Sequence, residues 1–381
     1  MNDTVKQQND YTGVTAWNEA GFTGKGINVW DREGMSEHGQ GTHRRVLEAA
    51  PDANVINATH NMQISKGVIV KESVEDGALN LSADAFIKAH DINIITCSLG
   101  GKGNREQAMV DLFGGLRRKY NLTMFNSAGN DGDDGVKGGS LPESEAMYVG
   151  ACMAFKNNYD DLRMWNYSSI GDEEDEVDFS TFTGGLNGTS FSTPYLAGMA
   201  ALLLDRYGTD MTSAEVYQYF KMVARPIDSG HPYKDGYDLW SGYGVPILPD
   251  PSKKLLRMEI GNWTYTVDGK PYTMDTIPFI KDSRTFVPIA FVALALGCSV
   301  YWDAKTQTVA IRKGDRNLTL TIGNRALTVT NKSIKQTIKM DTAPFIQDKR
   351  TFVPLSYIAL ALGCKVAWVA SEKKVIVLEG N

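Results

Sequence analysis

A duplicated segment near the C-terminus constrains this chain more than any other feature. Thr285-Phe286-Val287-Pro288 returns as Thr351-Phe352-Val353-Pro354, and Ala295-Leu296-Gly297-Cys298 returns as Ala361-Leu362-Gly363-Cys364, both 66 residues later. Met274-Asp275 and Met340-Asp341 keep the same spacing, as do Trp302 and Trp368. A fixed period of this kind marks one structural unit used twice. Each copy carries an Arg-Thr-Phe-Val-Pro entry, a helical stretch ending in Leu-Gly-Cys and strands such as Val300–Trp302 and Thr308–Ile311, so the tail is predicted to be α+β. The segment Gly244–Pro251 ahead of it holds three prolines and reads as a linker. The expected organisation is therefore a domain over 1–248, a linker over 249–253 and a tail over 254–381, with repeats at about 254–314 and 315–381.

The first domain has a different rhythm. Apolar runs at Ile27–Trp30, Ile92–Thr96 and Leu122–Phe125 alternate with helical patterns at Thr42–Ala50, Ala83–His90, Arg105–Tyr120, Ser192–Tyr207 and Ser213–Val223. Buried parallel strands joined by helices produce this alternation, which predicts a three-layer α/β/α domain with a mainly parallel sheet. Ligands in such sheets sit at the carboxyl ends of the strands.

Charge separates the two parts. The whole chain carries −6, yet residues 251–381 hold 19 Lys and Arg against 10 Asp and Glu, leaving the excess of acid in the first domain. Different partners are expected for the two. Four cysteines, Cys97, Cys152, Cys298 and Cys364, form no Cys-x-x-Cys pair, so neither a zinc site nor a disulfide framework is read from them. No apolar run reaches the roughly 18 residues of a membrane span, and Met1–Asn9 is polar, unlike a secretory signal.

Four short segments bear on chemistry. Ser190 lies in Gly188-Thr189-Ser190 before an apolar helix, which puts its hydroxyl near unpaired backbone N–H groups and suits a nucleophile; the same arrangement is also a common helix cap. His38, flanked by glycine in Glu37-His38-Gly39, is a candidate general base or a structural histidine. Asp31 closes the strand run Ile27–Trp30, where a carboxylate can orient an imidazole or simply start a turn. Asn130, in Ser127-Ala128-Gly129-Asn130, can donate an amide hydrogen to an oxyanion or shape a turn.

Taken in the order Asp, His, Asn, Ser, these segments resemble the subtilisin-like serine peptidases. Gly24–Asp31 is similar to that family's lead-in to its aspartate, and Ala50-Pro51-Asp52-Ala53 stands where the family has Ala-Pro-x-Ala, in register with His38 rather than His43. The resemblance covers about residues 14–248. It implies a serine endopeptidase, a hydrolase working through an acyl-enzyme, with catalytic residues Asp31, His38 and Ser190 and an oxyanion hole at Asn130. It further implies that Ser98-Leu99-Gly100 pairs with substrate and that Ser127-Ala128-Gly129 lines the pocket beside the scissile bond. Two departures stand out. Arg32 and Glu33 follow Asp31 in place of the usual Ser-Gly or Thr-Gly, a second carboxylate expected either to compete for the histidine or to change its pKa, and the short run from Asp31 to His38 lacks a surface strand or helix found in relatives. The alternative is a catalytically impaired pseudo-protease that binds or supports. A metalloprotease is disfavoured, since no His-Glu-x-x-His occurs. No metal and no cofactor are expected; the acids Asp131, Asp133, Asp134 and the run Asp172–Asp178 read as solvated loops in preference to a structural calcium site.

The tail resembles the N-terminal domain of copper amine oxidases, a repeat also attached to bacterial surface proteins. Copper does not follow, because the repeats contain no histidine. Expected partners are a polypeptide substrate and, for the basic tail, an anionic cell-wall polymer or assembly partner, with no nucleic acid. The resemblance implies a bacterial or phage source and a cell-surface, secreted or particle-associated location, the cytoplasm being the alternative.

Overall fold

The computed structural model describes residues 3–99, 107–132, 141, 145–171, 176–232, 236–332 and 334–380. The chain forms two units, Met1–Pro251 and Ser252–Asn381. In the first, α1 (Asp3–Thr12) and α2 (Val14–Glu19) lead into β1 (Asn28–Asp31), α3 (Glu37–Ala49) and β2 (Asn54–Asn57). A small antiparallel sheet follows, of β3 (His60–Ser65), β4 (Val68–Asp76) and β5 (Leu79–Leu81). Next come α4 (Ala83–His90), β6 (Ile94–Cys97), α5 (Gln107–Tyr120), β7 (Thr123–Ser127), β8 (Met147–Ala154), β9 (Leu162–Met164) and β10 (Phe179–Phe182). The unit closes with α6 (Thr189–Tyr207), α7 (Ser213–Val223) and the short pair β11 (Ala224–Arg225) and β12 (Val245–Pro246).

Strands β2, β1, β6, β7, β8 and β10 lie in that order as a parallel sheet, with β9 antiparallel to β8. Every residue of β6 and β7 is buried, as expected of strands covered on both faces. One face packs Trp30, Phe86, Met109, Phe113 and Leu122 under α4 and α5. Across the sheet, α6 packs on β6, β7, β8 and β10 and against α3, and it is buried along nearly its whole length. That crossing depends on Gly198, where a Cβ would come within 2.6 Å of the Val46 carbonyl oxygen. The chain runs from β1 outward to β2 and then back across to β6, so the carboxyl ends of β1 and β6 flank the crevice where such sheets hold ligands.

Helices α4 and α7 match the expected spans, and the described part of α5 lies within its span. Helix α3 begins five residues earlier than its apolar pattern because Ser36 caps it, accepting from the Gly39 N–H at 3.1 Å. Helix α6 likewise starts at Thr189 rather than Ser192. The polar N-terminal segment is helical, held by side-chain hydrogen bonds in place of a broad apolar stripe: Asn9 Nδ2 donates to the Glu48 carbonyl at 2.7 Å, and the Tyr195 hydroxyl donates to Asn9 Oδ1 at 2.8 Å. The four cysteines are buried free thiols.

The second unit contains β13 (Leu255–Glu259), β14 (Thr264–Val267), β15 (Lys270–Thr273), β16 (Phe279–Lys281), β17 (Arg284–Pro288), α8 (Ile289–Ala295), β18 (Ser299–Asp303) and β19 (Thr308–Lys313). The second copy supplies β20 (Arg316–Thr321), β21 (Ala326–Asn331), β22 (Ile334–Lys339), β23 (Phe345–Gln347), β24 (Arg350–Pro354), α9 (Leu355–Ala361), β25 (Lys365–Val369) and β26 (Lys374–Leu378). The copies are interleaved. One five-stranded sheet runs β15-β14-β13-β26-β25 and the other β18-β19-β20-β21-β22, so each joins strands of both copies. A central sheet β16-β17-β24-β23 pairs Val287 with Val353 and gathers Phe279, Phe286, Phe345 and Phe352 into one aromatic cluster. Neither copy can bury its apolar face alone, and one core serves both.

Candidate active site

The carboxyl ends of β1, β6 and β7 and the N-terminus of α6 converge on the candidate residues. Asp31 ends β1 and is fully buried; its Oδ2 accepts from the Thr42 hydroxyl at 2.7 Å and from Asn57 Nδ2 at 3.2 Å. Burial, together with the charge of nearby Glu33 and against the Thr42 hydrogen bond, pushes its carboxyl up to about 8. His38 sits in the first turn of α3 with its side chain 41% exposed, and its Nδ1 lies 3.3 Å from Oε2 of Glu33, which is buried. The histidine meets Glu33, whereas Asp31 turns to Thr42 and Asn57. Hydrogen bonding to Glu33, helped by the charges of Glu33 and Asp31 and opposed by burial, raises the His38 pKa above its ordinary value.

The local cause of this arrangement is Arg32. Its guanidinium is buried, donates to His60 Nδ1 at 2.8 Å and to Cys97 Sγ at 3.6 Å, and stacks 5.0 Å from the Phe113 ring centre. Since Arg32 only donates, His60 must accept through Nδ1 and donate through Nε2, which lies 2.8 Å from Glu72 Oε1. Burial lowers the His60 pKa, in keeping with a neutral ring. With Arg32 anchored under β3 and β4, Glu33 is placed on the His38 side. The loop then passes so close to α3 that a Cβ on Gly39 would come within 1.7 Å of the Gly34 carbonyl oxygen. His43, the other histidine of α3, spends its Nδ1 on Asn57 Oδ1.

Ser190 is the second residue of α6, and its hydroxyl donates to the Ser98 carbonyl at 3.2 Å while the Ser98 hydroxyl donates to the Ser190 carbonyl at 2.9 Å. The Phe191 ring lies 5.4 Å from the His38 ring, so α6 and α3 bring these two segments together. Asn130 is exposed; its Oδ1 accepts from the Thr189 N–H at 2.8 Å and from the Thr189 hydroxyl at 3.1 Å. Thr189 is further tied to Gly129, donating to its carbonyl at 3.1 Å. Ser127 and Ala128 are buried at the end of β7, and the Ala128 N–H is taken by the Val149 carbonyl at 3.1 Å. Leu99 is 37% exposed, whereas Gly100 lies outside the described residues. Sequence reasoning missed Thr42, Asn57 and the tie from Thr189 to Asn130, and it noted Arg32 without its anchoring contacts, because these roles depend on partners distant in the chain.

The subtilase family model matches residues 34–244, more than half of the chain. The chain belongs to the subtilase family. The match starts at Gly34 and so includes His38, Asn130 and Ser190 but neither Asp31 nor Glu33. A second model, the copper amine oxidase N-terminal domain, matches residues 256–377. Solved structures similar to this subtilase include the prenylagaramide maturation protease PagA, at 17% identity over 60% of this chain and 94% of that chain with a TM-score of 0.44. S41 psychrophilic protease is 18% identical over 60% and 93% of the two chains, and sphericase 17% over 60% and 93%, each with a TM-score of 0.44. No curated protein matches. This subtilase is thus a subtilisin-like serine peptidase, and its substrates are polypeptides. Among its described residues no helix is long and apolar enough to cross a membrane. Asp131 is described, while Asp133, Asp134 and most of the acidic run from Asp172 lie outside the described residues.

Proposed function

We propose that the chain cleaves peptide bonds as an endopeptidase through an acyl-enzyme on Ser190, with His38 as general base and Glu33 as the carboxylate that orients it. The observation that carries this reading is the buried Glu33 facing His38 Nδ1 at 3.3 Å. A carboxylate there keeps the proton on Nδ1 and leaves Nε2 as the basic nitrogen. On substrate binding the Ser190 hydroxyl leaves the Ser98 carbonyl and attacks the scissile carbonyl carbon as Nε2 of His38 takes its proton. The oxyanion accepts from Asn130 Nδ2 and from the Ser190 N–H at the start of α6. His38 then hands the proton to the departing amine, and water, deprotonated by the same nitrogen, cleaves the ester. Asp31, held by Thr42 and Asn57, positions the end of β1. Ser98, Leu99 and the segment Ser127–Gly129 form the substrate wall.

Labelling the purified chain with a fluorophosphonate tests this. An adduct on Ser190, lost in Ser190→Ala and His38→Ala, is the expected result. A folded wild type that takes no label would favour the binding-module reading, with the active-site fold serving as a scaffold. The basic repeats act in this scheme as a tether to an acidic partner, on the strength of their excess of Lys and Arg.

A further inference from the structure

The repeat unit carries two cavities that copy one another. One, of about 620 Å3, is lined by Ile280 and Arg284 from the first repeat and by Val366, Trp368 and Val375 from the second. The other, of about 400 Å3, is lined by Val300, Trp302 and Val309 from the first and by Ile346 and Arg350 from the second. The 66-residue offset carries each of these residues onto an identical one in the opposite cavity. Neighbouring positions have diverged, Ser283 to Lys349, Ala290 to Ser356 and Tyr301 to Ala367. Identity is thus kept at large apolar side chains that face solvent: Ile280 and Ile346 are 48% and 44% exposed, Trp302 and Trp368 40% and 38%.

The walls specify the kind of occupant. Strand β16, which carries Ile280, is the edge of the central sheet, and β25, which carries Trp368, is the edge of a five-stranded sheet. In the other cavity β23 and β18 take these places. An edge strand offers backbone donors and acceptors to one more strand, and alternate side chains of that strand enter the apolar slot beside it. Polar side chains complete the walls, Ser283, Thr285, Ser356 and Tyr357 in the first cavity and Lys349 and Thr351 in the second. The arginine of each cavity is already committed, Arg284 Nε donating to Asp341 at 2.6 Å and Arg350 Nε to Asp275 at 3.0 Å. The unit as a whole is strongly basic, with 19 Lys and Arg against 10 Asp and Glu over residues 251–381, which selects an acidic chain.

We infer that the repeat unit binds two extended acidic polypeptide segments, one added to the edge of β25 with an apolar side chain beside Trp368, the other to β18 beside Trp302. The sites do not depend on the peptidase chemistry. The test uses the full chain as Ser190→Ala and the fluorescein-labelled peptide Glu-Val-Glu-Val-Glu-Val-Glu, followed by anisotropy and calorimetry. Two equivalents should bind. Trp302→Ala or Trp368→Ala should leave one, and the double variant none, with melting temperatures unchanged. As a second route that leaves both tryptophans in place, Ile280→Glu or Ile346→Glu should weaken its own site at least about tenfold by like-charge repulsion. The same peptide with alternate backbone nitrogens methylated should fail to bind. Absence of binding, a stoichiometry indifferent to the tryptophans, equal binding of the methylated peptide, or capture of an anionic wall glycan in place of the peptide would each overturn the inference.

Discussion

Nδ1 of His38 lies 3.3 Å from Oε2 of Glu33, two residues beyond the aspartate that ends β1. The proposed mechanism divides two jobs between these carboxylates, Glu33 acting on the imidazole and Asp31 on the architecture below it.

Substitution should separate these jobs. Glu33→Gln removes the charge that holds the His38 tautomer, and kcat/KM should fall by about 10³ to 10⁴, as for loss of a triad acid. Asp31→Asn keeps an acceptor for Thr42 and Asn57 and resembles the protonated acid, so its loss should stay within about tenfold. Steady-state kinetics on a peptide substrate decide; the reverse ranking would return the orienting role to Asp31.

The pH–rate profile should carry the mark of Glu33. The proposed mechanism needs neutral His38, whose pKa is raised mainly by the Glu33 hydrogen bond, so activity should fall as pH drops through a value above the ordinary 6.5. In Glu33→Gln the acid limb should shift to lower pH while the residual rate is small. An unmoved limb would mean that Glu33 does not act on the titrating group.

Asp31 makes a separate statement about stability. Its folded pKa of about 8 exceeds the ordinary 3.8, so the folded state keeps a proton that the unfolded chain has released. The sign is unusual for a carboxylate: this contribution is complete below about pH 4 and is lost as pH rises toward 8, at up to about 1.4 kcal/mol per pH unit. Denaturant melts of wild type and Asp31→Asn across that window should converge at low pH and diverge in favour of the variant at high pH. Parallel curves would show that Asp31 ionises normally.

Gly39→Ala tests the close passage of the 33–34 loop over α3. A Cβ would stand 1.7 Å from the Gly34 carbonyl, so the loop must move, and Glu33 with it. A displacement of about 1 Å at a catalytic group costs on the order of 10² in rate. Turnover should drop by that order while the far-ultraviolet circular dichroism is retained; full activity would show that the loop position is unimportant.

Local chemistry made much of this protein legible in its sequence. The runs Ile92–Thr96 and Leu122–Phe125 announced buried parallel strands because both faces of such strands are covered. The 66-residue period exposed the duplication, and glycines and polar residues beside His38 and Ser190 marked the candidate site. What the sequence could not show follows from contacts between residues far apart in the chain. Whether Asp31 or Glu33 reaches His38 depends on where Arg32 is anchored, and that is settled by His60 and Cys97, 28 and 65 residues away. The repeats likewise look like consecutive units along the chain, yet β13 pairs with β26 and β17 with β24, because strands pair wherever a shared core brings their edges together. Sequence determined which elements form; the tertiary structure decided which side chains and edges meet.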